Sequence, residues 1–352
     1  MCGIAGFVND MPIDVKCPVL QRMTDMIAHR GPDSEGHYID EHAALGHRRL
    51  SIIDLGGGQQ PIYNEDGSKV ITFNGEIYNY QTLREELIAA GHTFTTKSDT
   101  EVLLHGYEQW GVDLLQRVRG MFTFVIWDKN KQELFGARDH FGIKPFYYAK
   151  MNGTFMYASE IKSLLRHPDF VKELNAEALK PYMTFQYPAI GETFFKGVYK
   201  LPEGHYFTYR DGKMDIHRYY DEDFREGKQK LGELVNSIDQ TVCDSVKAHQ
   251  IADVEVGSFL SSGVDSSYVA AVARPQHTYS IGFGKGTYNE SQQAGELAEL
   301  LKLNNTAESL TDEEAFAAFP RIQWHLDEPD SNPSCVPLYF LSALAAKDVK
   351  VC

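Results

Sequence analysis

Apolar and polar positions along the chain fall into two regimes. Up to about residue 220, short apolar runs rich in aromatic and β-branched residues alternate with turn residues; beyond residue 229, helix-period stretches alternate with short apolar runs. In the first regime, residues 3–8 read as a buried strand, 19–29 as an amphipathic helix ended by His29-Arg30-Gly31-Pro32-Asp33, and 44–53 as a strand leading into a Gly56-Gly57-Gly58 loop. A strand at 69–73, helices at 80–90 and 99–110, paired strands at 121–128 and 132–138, and strands near 146–149, 154–158 and 205–209 follow. Ser98-Asp99-Thr100-Glu101 has the spacing of a capping box at the start of the second of those helices. In the second regime, helices at 229–250, 264–273, 290–303, 312–325 and 337–347 accompany strands at 254–260 and 277–283, and a last strand begins at 349. The first pattern predicts packed sheets covered by helices, and the second a parallel α/β sheet.

A length of 352 residues suits two domains, and the change of regime puts their boundary near 222, giving domains 1–222 and 223–352. The net charge of -15 argues against a nucleic-acid partner, since phosphate binding needs a basic surface. Five cysteines (Cys2, Cys17, Cys243, Cys335, Cys352), odd in number and without CxxC pairs, read as reduced thiols of a cytoplasmic protein. Asp10, Pro12 and Asp14 break any apolar leader, so no signal peptide is expected, and no apolar run reaches membrane-spanning length. Thirteen histidines lie scattered without HxxxH or Cys/His spacing, so no structural metal is expected.

Chemistry enters with Met1-Cys2-Gly3-Ile4-Ala5-Gly6. If Met1 is removed, Cys2 carries a thiol and a free α-amino group on one carbon, a nucleophile with its own base. Acyl transfer also needs an oxyanion hole, and Asn74-Gly75 after an apolar strand offers a side-chain amide and a backbone N–H. The same dipeptide is the strongest short hairpin signal, and that alternative stays open. Arg49 suits bidentate grip of a carboxylate, or else a surface ion pair; Asp99 suits an ammonium group, or else the positive end of a helix.

Six motifs carry a resemblance. They are the N-terminal six residues, His29-Arg30-Gly31-Pro32-Asp33, Arg49-Leu50-Ser51-Ile52, Phe73-Asn74-Gly75-Glu76-Ile77-Tyr78-Asn79, Ser98-Asp99-Thr100-Glu101 and Arg138-Asp139-His140-Phe141-Gly142-Ile143-Lys144-Pro145. Together they resemble the glutaminase domain of class II glutamine amidotransferases, and among these the glutamine-hydrolysing asparagine synthetase family. The resemblance implies an α+β N-terminal-nucleophile hydrolase sandwich (αββα), with Cys2 as nucleophile, Asn74 and Gly75 as oxyanion hole, and Arg49, Asn74, Glu76 and Asp99 as glutamine binders.

In the second regime, Leu260-Ser261-Ser262-Gly263-Val264-Asp265-Ser266-Ser267 joins a strand to a helix, where a helix N-terminus and hydroxyls can bind phosphate, or simply cap the helix. It resembles the Ser-Gly-Gly-x-Asp-Ser loop of ATP pyrophosphatases, with Ser262 in place of the first glycine. The resemblance implies a partial α/β parallel-sheet ATP-pyrophosphatase domain that holds ATP through Leu260 to Ser266, with Ile281 beside the adenine. Mg2+ would accompany ATP on its phosphates, with Asp265 as a further ligand. His325-Leu326-Asp327-Glu328-Pro329 and Pro333-Ser334-Cys335-Val336-Pro337 also resemble the synthetase family, whose later Ser-Gly-Glu-Gly-Ala-Asp-Glu motif does not occur in these 352 residues. The expectation is therefore a C-terminally truncated synthetase: glutamine hydrolysis at Cys2, and an ammonia-consuming step on aspartate and ATP that this stretch only half contains. Three alternatives stay beside it. Phosphoribosyl-transfer, sugar-isomerase or glutamate synthase partners are disfavoured by the 260–267 loop, while an amidotransferase with another carboxylate acceptor, or a non-catalytic fragment, is not. Oligomeric state stays open, a homodimer among the options.

Overall fold

A computed structural model of the chain describes residues 1–189, 191–283 and 290–352. It divides into two compact units, Met1–Asp223 and Phe224–Cys352.

The first unit runs Gly3–Val8 (β1), Ile13–Asp25 (α1), Ser34–Ile39 (β2), Ala43–Arg49 (β3), Ile62–Tyr63 (β4), Lys69–Ile77 (β5), Tyr80–Ala89 (α2), Asp99–Trp110 (α3), Gly120–Asp128 (β6) and Glu133–Arg138 (β7). It continues with Tyr147–Met151 (β8), Thr154–Ala158 (β9), Ile161–Leu164 (α4), Leu179–Phe185 (α5), Val198–Lys200 (β10), His205–Arg210 (β11) and Lys213–Arg218 (β12). The strands form two antiparallel sheets of six, ordered β10-β8-β9-β1-β3-β2 and β12-β11-β7-β6-β5-β4.

Successive side chains of a strand point to opposite faces, so each strand sorts its residues between two cores. Ile71, Phe73 and Ile77 of β5 pack with Leu83, Leu87, Val102 and Leu103 of α2 and α3. Val70 instead joins Ile4, Leu45, Val125 and Phe155 between the sheets. Ala5 and Phe7 of β1 pack on the far side against Leu20 and Met23 of α1 and Ile161 of α4. Three cores separate four layers: helix, sheet, sheet, helix, the αββα sandwich of N-terminal-nucleophile hydrolases.

The same alternation positions the polar residues. Cys2 shares the parity of Ile4, Arg49 that of Leu45, and Asn74 and Glu76 that of Val70, so all four side chains face the gap between the sheets. Because β1 and β3 are antiparallel with Gly3 opposite Arg48, the start of β1 lies beside the end of β3, at one end of that gap.

Several boundaries differ from the sequence pattern. The first helix begins at Ile13 and ends at Asp25, accommodating Pro18 in its interior, and residues 28–30 form a separate 3-10 turn. The strand expected to run to residue 53 stops at Arg49, and β2 and β12, whose polar residues half hide the alternation, were not anticipated. The strand expected at 69–73 continues through Asn74-Gly75-Glu76 to Ile77, so the hairpin alternative for Asn74-Gly75 is excluded. Ser98 caps α3 by accepting from the Thr100 N–H (3.2 Å), but Glu101 does not close a capping box. It accepts instead from the amides and hydroxyls of Thr95 and Thr96 (2.6–3.0 Å).

The second unit contains Leu231–His249 (α6), Ser258–Phe259 (β13), Val264–Ala273 (α7), His277–Phe283 (β14), Glu290–Leu301 (α8), Asn304–Leu310 (β15), Asp312–Leu326 (α9) and Cys335–Ala345 (α10). β13, β14 and β15 form a parallel sheet in that order. Strand β15 was not foreseen, because Asn304-Asn305-Thr306-Ala307-Glu308-Ser309 lacks an apolar signal; its pairing with β14, from His277 opposite Asn304 to Phe283 opposite Leu310, makes it a strand. The expected strand at 254–260 shrinks to two residues, and Val351 forms an isolated parallel bridge with Val256.

Candidate active site

Cys2 immediately precedes β1, and the peptide of Leu50, immediately after β3, fixes its sulfur. The Leu50 N–H donates to Sγ at 3.4 Å, and Sγ–H lies 3.6 Å from the Leu50 carbonyl. Arg30 Nε donates to the Cys2 carbonyl at 2.9 Å. Arg30 is itself anchored by Glu160, which accepts from Arg30 Nη1 at 3.0 Å and also contacts His29 (3.0 Å) and Lys162 (2.5 Å). Burial opposes the charge on Glu160, yet His29, Arg30 and Lys162 bring its pKa down to about 2. Cys2 is thus held by its backbone as well as its sulfur. Burial pushes its thiol pKa up, while the Leu50 N–H, the chain's own ammonium and Arg49 pull it down.

Arg49, 5% exposed, donates from Nη2 to the carbonyls of Ile53 (3.0 Å) and Asp54 (2.7 Å), bracing the loop after β3. Asn74 is 1% exposed, and among the described residues neither Nδ2 nor Oδ1 has a hydrogen-bond partner. A buried, unpartnered amide costs about 1–3 kcal/mol, so its retention points to a ligand that completes it. Gly75 follows where β5 and β6 run close together. A Cβ there would stand 2.2 Å from the Met121 carbonyl oxygen and 2.7 Å from Phe122 Cα, both backbone. Gly75→Ala is therefore expected to destabilise the unit by about 1–3 kcal/mol, read as a lowered Tm; an unchanged Tm would contradict the close approach.

Two buried carboxylates complete the group. Asp99 opens α3 and accepts from the Ile77 N–H at 2.9 Å. Burial raises its pKa to about 6 despite that bond. Glu76 is raised to about 7 by burial and by the charge of Asp99, against the pull of Lys144 and the chain's ammonium. The charges act on one another across the group: Cys2 feels the chain's ammonium, Arg49 and Asp99, and Glu76 feels Asp99, Lys144 and that ammonium.

Lys144, in the motif that begins at Arg138, joins the group. It is 4% exposed, its pKa is lowered by burial, and its Nζ lies 3.1 Å from Met1 Sδ. The other residues of that motif shape the turn that presents it. The Asp139 carboxylate accepts from the N–H groups of Phe122, Phe141, Ile143 and Lys144, and Arg138 donates to the carbonyls of Gly142, Lys144 and Leu201.

In the second unit, Leu260 is buried and the loop from Ser261 to Ser266 leads into α7, whose N-cap is Gly263. The loop closes on itself: Ser261 Oγ lies 2.8 Å from Ser266 Oγ and accepts from the Gly263 N–H at 3.1 Å. Ser262, Val264 and Asp265 lie on its outer side, with Val264 84% exposed. Ser280 Oγ ties β14 to the Leu260 carbonyl at 2.7 Å, and Ile281 follows it on β14. The loop thus follows the carboxyl end of β13, where parallel sheets place ligands.

Among the described residues, no helix is long and apolar enough to cross a membrane. The profile of the glutamine amidotransferase domain family matches residues 1–220, and that of the asparagine synthase family matches 237–352. The chain is 43% identical to asparagine synthetase [glutamine-hydrolyzing] 1 of Bacillus subtilis over its whole length, spanning 57% of that relative. It is 33% identical to a putative asparagine synthetase [glutamine-hydrolyzing] 2 of Methanocaldococcus jannaschii, again over its whole length and over 73% of that protein. A match at 31% identity to the amidase chry2 of Gibberella zeae covers 94% of the chain and 54% of that protein. With both profiles matched in this order, the chain belongs to the glutamine-hydrolysing asparagine synthetase family.

Proposed function

We propose that the unit Met1–Asp223 hydrolyses glutamine to glutamate and ammonia, as the glutaminase half of an asparagine synthetase. Once Met1 is removed, the α-amino group of Cys2 takes the thiol proton and the thiolate attacks the side-chain carbonyl carbon of glutamine. Asn74 Nδ2–H and the Gly75 N–H hold the oxyanion. The α-ammonium returns its proton to the departing ammonia, and water, deprotonated by the same amine, clears the glutamyl thioester. Arg49 grips the α-carboxylate of glutamine, and Glu76 and Asp99 its α-ammonium. An α-amino group titrates near neutrality, which suits it to take the thiol proton; on the unprocessed chain the amine at this end of the gap is that of Met1, and burial lowers its pKa to about 6.

The observation that carries this reading is the Asn74 carboxamide, buried and without a partner among the described residues, in the same inter-sheet gap that Cys2 faces. Its removal tests the reading. Asn74→Ala is expected to lower kcat for glutamine hydrolysis by about 10²–10³-fold with little change in KM, since the interaction is made only with the oxyanion. A purely structural Asn74 would leave kcat intact in the folded variant.

The residues 237–352 form part of a unit that activates the β-carboxylate of aspartate with ATP, and ammonia then displaces AMP to give asparagine. Ser261, Gly263 and Ser266 at the N-terminus of α7 are the phosphate binders, with Ser262 and Val264 flanking them, Asp265 toward Mg2+, and Leu260 and Ile281 lining the adenine side. A phosphate has to displace the Ser261 hydroxyl from the Gly263 N–H, and ATP is then expected to protect the 260–267 amides from hydrogen exchange. The match to a protein named an amidase favours one second reading, the same layout with a different carboxylate acceptor. Product analysis with the full-length enzyme separates the two.

A further inference from the structure

Glu65, His92, His105 and Glu108 come from three segments of the first unit: the turn between β4 and β5, the residues after α2, and α3. Their ligand-type atoms all lie within 4.8 Å of one another. Linear spacing, on which the expectation of no structural metal rested, does not register a set gathered in this way.

The geometry is close to a coordination shell. His92 Nδ1 lies 3.1 Å from Glu65 Oε1, and His105 Nδ1 lies 3.3 Å from Glu65 Oε2 and 3.2 Å from Glu108 Oε2. A tetrahedron with bonds near 2.0–2.2 Å has ligand-to-ligand edges of about 3.3–3.6 Å. These three contacts are near that edge length, while the four ligand atoms as a set lie within 4.8 Å of one another, so the side chains have to draw in to surround one ion. Around both rings the neighbouring atoms are acceptors. His92 Nε2 faces Gln109 Oε1 at 3.3 Å, and His105 Nε2 faces Glu101 Oε1 at 3.5 Å. Donation from His92 Nε2 to Gln109 presents a bare Nδ1 lone pair to a cation, the usual second layer behind a metal-bound histidine, whereas His105 Nε2 makes no hydrogen bond among the described residues.

The carboxylates are held as well. Glu108 Oε1 accepts from Asn64 Nδ2 at 2.7 Å and lies 3.4 Å from Lys69 Nζ, leaving Oε2 for the centre. Glu65 accepts from the Thr93 N–H at 3.0 Å. Glu101 is fixed by Thr95 and Thr96, and Phe94 lies edge-on against the His105 ring at 4.7 Å, covering it from one side. Three carboxylates meet two imidazoles and one lysine here, an excess of negative charge that a divalent cation offsets.

We propose that Glu65, His92, His105 and Glu108 bind one Zn2+-class divalent ion. Two imidazole nitrogens with two carboxylate oxygens suit a borderline transition metal rather than Mg2+ or Ca2+, which take oxygen shells. The ion clips the β4–β5 turn and the α2–α3 connection to the helix that Asp99 opens.

The test is a Zn2+ and Co2+ titration of the chain freed of metal by chelator dialysis, followed by Tm and absorption spectra. The expected result is one Zn2+ per chain bound more tightly than about 1 µM, with a raised Tm and a Co2+ spectrum of four-coordinate N/O type. His92→Gln and Glu65→Gln, both at the accessible edge, should each weaken binding by at least about 100-fold, and Gln109→Ala by about 10-fold. Absence of saturable binding, unchanged affinity in both ligand variants, or a Co2+ spectrum with thiolate charge transfer would overturn the assignment.

Discussion

Replacing Cys2 by alanine is expected to reduce glutamine hydrolysis by at least about 10⁴-fold while leaving the fold of the first unit unchanged, because the reaction loses its only covalent acceptor. The sulfur makes two long contacts, both with the Leu50 peptide, so its removal costs little packing. Steady-state ammonia release and the melting curve of the same preparation read the two halves of this expectation. Keeping Met1 on the chain should be nearly as damaging as losing the thiol. Met1 occupies the α-amino position that the mechanism uses as base, and its sulfur lies against Lys144. A preparation shown by mass spectrometry to retain Met1 should therefore be inactive until an aminopeptidase exposes Cys2. Activity equal to that of the processed chain would remove the α-amino group from the mechanism.

The second large effect concerns the two buried acids. Glu76→Gln is expected to raise the KM for glutamine by about 10²–10³-fold and, at the same time, to stabilise the unit at alkaline pH. Both effects come from one cause. Burial lifts Glu76 to about 7 from an ordinary 4.5, and Asp99 to about 6 from 3.8. A carboxyl raised in the folded state favours folding while protonated; that contribution is complete below its ordinary pKa and is lost as pH rises through the folded value. At pH 8 the ionised Glu76 therefore costs roughly 3 kcal/mol of stability, which the neutral amide relieves. In the proposed clamp the α-ammonium of glutamine needs those same charges, so glutamine affinity is expected to fall as pH drops below about 7. Calorimetric titration of the Cys2→Ala protein with glutamine at pH 6 and pH 8 isolates the clamp from the nucleophile. Equal affinity at the two values, or a Glu76→Gln protein less stable than the parent at pH 8, would refute the arrangement.

The candidate site was legible through its motifs and their resemblance to a known family, and the two-residue period of strands accounts for how the fold gathers those residues. Cys2 with Ile4, Arg49 with Leu45, and Asn74 and Glu76 with Val70 share faces that alternation alone defines. What alternation does not reveal is where a strand ends. Asn74-Gly75 reads locally as a turn, and only pairing with Thr123 and Phe122 of β6 makes it strand. The 3-10 turn at residues 28–30 brings Arg30 to Cys2 through its distant bond with Glu160, and the turn at 139–144 closes on the Asp139 carboxylate, which also accepts from the distant Phe122 N–H; the distant partners are what no local pattern encodes. Strand β15 is polar for the same reason in reverse: its identity comes from β14, its parallel neighbour. The Glu65, His92, His105 and Glu108 group marks the same limit, since it exists only once α2 and α3 have packed.

The most direct measurement of the central claim is peptide mass spectrometry on the chain quenched in acid during turnover of glutamine. The account predicts an N-terminal peptide that begins at Cys2 and carries a glutamyl group labile to hydroxylamine. Continued ammonia release with every N-terminal peptide unmodified, or beginning at Met1, would contradict it.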